Sequence, residues 1–222
     1  MSRASKNRRP PRSKPRAALP HRSMTPYILG GLAAVVVVAA VAAVVIAGSS
    51  PTGRSEPATQ PVAVAGNPLP ALTNPSADPA VGQAVPELSG VGLDGEPLTI
   101  GPGDGPMAIV ILAHWCPHCQ AELPALADYV ARGGVPDDVS VVGVSTAIDP
   151  VRPNYPPSAW FGREGWMQPT LIDDADNSAL QALGVNSFPG LVFVAADGTV
   201  AQRLTGEIGV DQFAEILAAL AP

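Results

Sequence analysis

"MAIVILAHWCPHCQAELPALADYVARGG", residues 107–134, carries the two hydrophobic periodicities that decide the fold. Residues 107–113 form a continuous apolar run, the pattern of a strand covered on both faces. Beyond them Leu123, Leu126, Ala127 and Val130 recur at i, i+3, i+4 and i+7, which predicts a helix from residue 117 to 132 stopped by Gly133-Gly134. Residues 139–144, "VSVVGV", repeat the buried-strand pattern. The unit is therefore strand–helix–strand, a right-handed parallel crossover.

Between the first strand and the helix lie the chain's 2 cysteines, Cys116 and Cys119. A disulfide there closes too short a loop to restrict the unfolded chain much. The pair therefore does chemistry or binds something. Cys116 falls at the strand–helix junction, and Pro117 takes the first helical position, where no amide donor is needed. The first-turn N–H groups and the positive end of the helix dipole then converge on the Cys116 sulfur, which favours the reactive thiolate. Cys119 lies three residues on, on the same face and within disulfide reach. His118 offers a positive charge or a hydrogen bond to the thiolate. A metal site competes, because His114, Cys116, His118 and Cys119 are all possible ligands, yet no distant second ligand pair completes it.

Outward from this unit, residues 88–100 read as a hairpin turning at Asp94-Gly95. Residues 150–170 are a Pro- and aromatic-rich excursion with a short helix near 158–163, and another helix follows at 178–183. Residues 191–206 read as an antiparallel hairpin turning at Asp197-Gly198. A last helix places Phe213, Ile216, Leu217 and Leu220 on one face.

The N-terminal part differs in kind. Residues 1–26 hold eight of the 13 Lys/Arg and no Asp or Glu, and residues 27–48 are 22 residues without a charge. That run spans roughly 33 Å as a helix, enough for the hydrocarbon core of a bilayer. A cleaved signal peptide competes, but its apolar region is usually about 7–15 residues. The expectation is one transmembrane helix, with the basic tail cytoplasmic and the remainder extracytoplasmic at the cell membrane. All 19 Asp/Glu lie after residue 50 against five Arg, a balance of −14. Such a domain is a poor partner for nucleic acid or anionic lipid. Residues 49–80, rich in Pro, read as an extended linker, leaving 81–222 as one domain.

The sequence "WCPHC" after a buried strand and opening a long helix resembles the active site of the thioredoxin-fold family. Pro124 matches the proline within the family's active-site helix. "GVNSFPGLVFVAADGTV" is similar to the segment with the family's cis-proline, which makes Pro189 that residue. The resemblance implies an α/β fold with a mixed central sheet flanked by helices, preceded here by the transmembrane helix. "CPHCQAELP" and "GWMQPTLIDD" look most like the membrane-anchored thioredoxins related to cytochrome c maturation, whose tuning glutamate is here Glu122. The Pro-His pair instead resembles the strongly oxidising periplasmic disulfide oxidases. Val110 departs from the pattern, since the family's buried aspartate falls there. Gly190 departs too, replacing a common threonine and implying a wider groove.

The resemblance implies a thiol:disulfide oxidoreductase with Cys116 as the attacking sulfur and Cys119 resolving it. Trp115, Pro117, His118, Glu122 and Pro189 would support them, and Phe188 and Gly190 would line the substrate groove. No metal and no organic cofactor is implied beyond the redox-active Cys116–Cys119 disulfide. Partners would be extracytoplasmic polypeptides bearing thiols or disulfides, together with a membrane redox partner. The direction leans to oxidase or isomerase. A reductant of envelope thiols, as in cytochrome c maturation, is the first alternative, and a non-enzymatic copper or zinc carrier is the alternative of another class.

Overall fold

The computed structural model describes residues 59–221. The basic tail, the apolar run at 27–48 and the first part of the expected linker lie outside them. Among the described residues no helix is long and apolar enough to cross a membrane.

The chain forms β1 (Ala63–Ala65), a 3-10 turn at Pro75–Ala77, β2 (Glu87–Val91), β3 (Pro97–Ile100), β4 (Met107–Leu112), α1 (Pro117–Ala131) and β5 (Ser140–Ser145). It continues with α2 (Pro157–Arg163), β6 (Thr170–Ile172), α3 (Ser178–Ala182), β7 (Gly190–Val194), β8 (Val200–Thr205) and α4 (Gly209–Leu220). The main sheet has the order β6-β5-β4-β7-β8. β4, β5 and β6 run parallel, whereas β7 and β8 are antiparallel to their neighbours. This is the mixed sheet flanked by helices that the sequence implied. A second, antiparallel sheet has the order β1-β2-β3.

β4 lies at the centre because all six of its residues can be buried. Ala108, Val110 and Leu112 pack with Leu123 and Leu126 of α1 and with Phe213 and Leu217 of α4. Met107, Ile109 and Ile111 point the other way, toward Leu88, Ile100, Ala179 and Leu183. The alternation is the period of two of a strand, with apolar partners supplied on both faces. Val110, read as a departure from the family pattern, is a packed core side chain here.

The linker reading requires correction. Residues 59–80 are part of the folded body, not a free tether. β1 pairs with β2, and Leu69, Leu72 and Ala80 are buried. Leu69 N–H donates to the Ala182 carbonyl and Leu72 N–H to that of Gly184, both at 2.8 Å. The segment is locked by a fully buried ion pair, in which Arg203 of β8 donates from Nε and Nη2 to the two Asp78 oxygens at 2.8 and 2.6 Å. Its other donors reach the carbonyls of Leu183 (2.7 Å) and Pro70 (2.9 Å). Proline richness suppresses regular hydrogen bonding, but two leucines and one buried charge pair suffice to order the strap.

Candidate active site

Cys116 is the N-cap of α1 and Pro117 its first residue, so the helix opens where the sequence placed it. Cys116 retains 6% exposure and Cys119 none. Both are free thiols. Burial is the main reason the Cys119 thiol is pushed far above its usual range, and a hydrogen bond to Cys116 adds to it. One sulfur can therefore meet a large partner and the other cannot.

The loop before β7 forms the opposite wall. Phe188–Pro189 is a cis peptide, as expected, and Cys116 Sγ lies 3.7 Å from the Phe188 carbonyl oxygen, to which it donates. Pro189 itself is buried, and its carbonyl accepts from Gly206 N–H at 2.8 Å. Trp115 stands edge-on to Phe188 with ring centroids 6.1 Å apart, and its indole N–H donates to the Ala147 carbonyl at 2.7 Å. These two aromatics make the apolar rim beside the sulfur.

Glu122 is not the exposed helical glutamate that its position alone suggests; it is buried at 4% exposure. One carboxylate oxygen, Oε1, accepts the N–H groups of Ile208 (2.7 Å) and Gly209 (3.0 Å), the entry to α4. The other, Oε2, is buried without a hydrogen-bond partner. Desolvation raises its pKa despite the two backbone donors, and its negative charge is felt at Cys119. A carboxyl group with one anchored oxygen and one free oxygen can exchange a proton with a neighbouring thiol.

The structure defines the surroundings of three more residues singled out in the sequence. His118 is exposed and its Nδ1 hydrogen-bonds to Glu207 Oε1 at 2.6 Å, so that nitrogen is engaged by a carboxylate. Gly190 does not widen the groove: it is buried, and a Cβ there would overlap Val185 Cγ1, a core atom on the sheet's other face. Packing requires the glycine. His114 is fully buried and both ring nitrogens are occupied: Nδ1–H donates to the Pro153 carbonyl at 2.7 Å, and Nε2 accepts from Asp149 N–H at 3.2 Å. Desolvation lowers its pKa and keeps the ring neutral. It is a clamp on the 149–154 loop and presents no lone pair to a metal. Among the described residues no three His, Cys, Asp or Glu side chains gather as a metal site.

Residues that the sequence reading missed are Arg152, whose guanidinium lies 4.2 Å above the Trp115 ring, and Glu207. Neither sits in a motif, and both reach the site by chain crossings of 37 and 89 residues.

The Glu122 carboxyl sets a stability prediction. The folded protein holds its proton to higher pH than the unfolded chain does. The folded protein therefore loses stability as pH rises from the ordinary carboxylate range through the raised folded value. Glu122→Gln removes that titration while keeping the shape. The stability of the variant relative to the parent should rise with pH across the window, measured by urea unfolding at several pH values. A constant difference would show that Glu122 titrates normally.

The profile of the thioredoxin-like domain family matches residues 99–221. No curated protein matches the sequence. Among solved structures, dsbF of Mycobacterium tuberculosis, caught in mixed oxidized and reduced forms, is 26% identical, with a TM-score of 0.50 over 60% of this chain and 94% of that one. A thiol:disulfide interchange protein from Chlorobium tepidum is 20% identical, with a TM-score of 0.51 over 70% and 97%. The exposed lipoprotein thioredoxin of Streptococcus pneumoniae is 22% identical, with a TM-score of 0.50 over 60% and 99%. These two show a shared fold. With its family profile spanning more than half of its length, the chain belongs to the thioredoxin-like domain family.

Proposed function

We propose that the protein is an extracytoplasmic thiol:disulfide oxidoreductase that exchanges disulfides with client polypeptides through Cys116 and Cys119. The observation that carries this reading is the pairing of one reachable and one sealed sulfur at the start of α1, against the carbonyl of Phe188. The basic tail and the apolar run at 27–48 support membrane anchoring with the domain outside.

In the oxidising direction a client thiolate attacks Cys116 Sγ of the Cys116–Cys119 disulfide. The S–S bond breaks and the electron pair leaves on Cys119, which takes a proton; Glu122, with one carboxyl oxygen unpartnered, is the adjacent group that can relay it. A second client thiolate then attacks the client sulfur of the mixed disulfide and releases Cys116. The client has lost two electrons and the protein has gained them. In the reducing direction the same steps run backward, and Glu122 accepts the Cys119 proton. A membrane redox partner would restore the starting state. No organic cofactor enters.

The helix N-terminus favours the thiolate, hence a stable reduced form and an oxidising disulfide, and His118 adds to this in its protonated form; this is the oxidase or isomerase reading. The Glu207 partner of His118 favours the second reading, a reductant, because a carboxylate 2.6 Å from the imidazole offsets its charge. Equilibration with glutathione buffers decides between them. The first reading expects a potential of about −120 to −180 mV, and a value near or below about −270 mV makes the protein a reductant. Glu207→Gln should raise the potential, since it removes a negative charge beside the site. An unchanged value would mean that the pair does not tune the sulfur.

A further inference from the structure

Of the four arginines among the described residues, three are held by carboxylates: Arg132 by Asp128 at 2.7 Å, Arg163 by Glu164 at 3.3 Å and Arg203 by Asp78 at 2.6 Å. Both lysines of the chain precede residue 15. Arg152 is the described Lys or Arg side chain without an acidic partner, and it lies over the tryptophan that adjoins Cys116. The guanidinium carbon lies 4.2 Å from the centroid of the Trp115 ring and the residue is exposed, so its N–H donors are within reach of a carboxylate, which a guanidinium can receive in two parallel bonds.

The position is held from below. His114 grips the Arg152 loop at both ends, through Asp149 and Pro153, and its own carbonyl accepts from Asn154 Nδ2 at 3.1 Å. Ala147 and Asn154, at the two ends of this segment, both take positive φ (48° and 64°), which asparagine adopts readily but alanine rarely holds unless the surroundings impose it. Beside Arg152, Val151 is 90% exposed. A buried histidine thus fixes an exposed apolar residue and a carboxylate-free cation at the rim of the reactive sulfur.

We infer that Arg152 is a specificity-determining residue that receives a carboxylate of the client polypeptide, carried on a residue close to the reacting cysteine. This rests on the exchange activity proposed above. The rest of the domain argues for the opposite preference, because its −14 balance attracts basic segments. An acidic preference would therefore have to come from a local cation, and Arg152 is the arginine at the rim that no carboxylate holds.

The test uses the full chain in a nonionic detergent and three peptide disulfides that differ only in a Glu, Gln or Lys next to the cysteine. The second-order rate of exchange is measured at low and high salt, and the readout is the Glu-to-Lys rate ratio within each variant, so that any general effect on Trp115 cancels. The wild-type protein should favour Glu by about fivefold at low salt, converging toward equality as salt screens the pair. Arg152→Gln should lose or invert this preference, and Arg152→Glu should favour Lys. Arg132→Gln, the same charge change at the far end of α1, should keep the wild-type ratio. A wild-type protein indifferent to charge or favouring Lys, or a ratio unmoved by Arg152→Gln, overturns the inference while the exchange reading stands. Failure to exchange even the Gln peptide overturns the exchange reading and, with it, the inference.

Discussion

With Cys119 replaced by Ser, the protein should accumulate a stable mixed disulfide on Cys116, close to one client per chain, while turnover falls to the uncatalysed rate. The client sulfur reaches Cys116 at the helix N-cap, and no second thiol is left to release it. The converse variant, Cys116→Ser, should trap nothing. Its remaining thiol is completely buried and held protonated by desolvation, so it is neither reachable nor nucleophilic at neutral pH. Non-reducing electrophoresis with mass spectrometry separates the two outcomes. Equal trapping by both variants would contradict the assignment of one attacking and one resolving sulfur.

Asp78→Ala should destabilise the protein by about 3–5 kcal/mol, because it leaves the Arg203 charge buried and unpaired. Against a total of about 5–15 kcal/mol this threatens folding itself. In a domain of this size it corresponds to a Tm loss of roughly 10 °C. Replacing both partners, Asp78→Ala with Arg203→Met, should restore much of the loss, since no uncompensated charge remains. A chain begun at residue 81 lacks Asp78 and should fail in the same way. The Arg203 guanidinium lowers the Asp78 pKa, so this contribution is present at neutral pH and is lost as pH falls below the ordinary carboxylate range through the depressed folded value. Thermal unfolding of the single and paired variants provides the check, and a single variant as stable as the parent would mean that the pair contributes little.

What could be read in the sequence follows from how local each signal is. β4, α1 and β5 announce themselves because their packing faces repeat within one turn or one pleat. The hairpins at Asp94-Gly95 and Asp197-Gly198 do so because the turn residues adjoin the strands. The cysteines and Pro189 were legible from a motif and a resemblance. The order of residues 59–80 was not, because it depends on Asp78 meeting Arg203 from 125 positions away, a pairing that leaves no periodicity. The surroundings of His114 and Gly190 were not legible for a related reason. A histidine beside a cysteine looks like a ligand until its two hydrogen-bond partners are known, and a glycine looks like space until Val185 is found filling it.

The turn at residues 207–209 is bound twice to α1: Glu207 to His118, and the Ile208 and Gly209 amides to Glu122. Proton occupancy and helix attachment are therefore one thermodynamic cycle, and such linkage is reciprocal. A protonated Glu122 accepts those amides more weakly, so the first turn of the last helix should open more often when the carboxyl is neutral. By the same amount, anything that pries that turn loose shifts the proton affinity of the group beside Cys119. The far end of the chain is thus an energetic handle on the sulfur chemistry, one that amide exchange at Ile208 and Gly209 would report as the redox state changes.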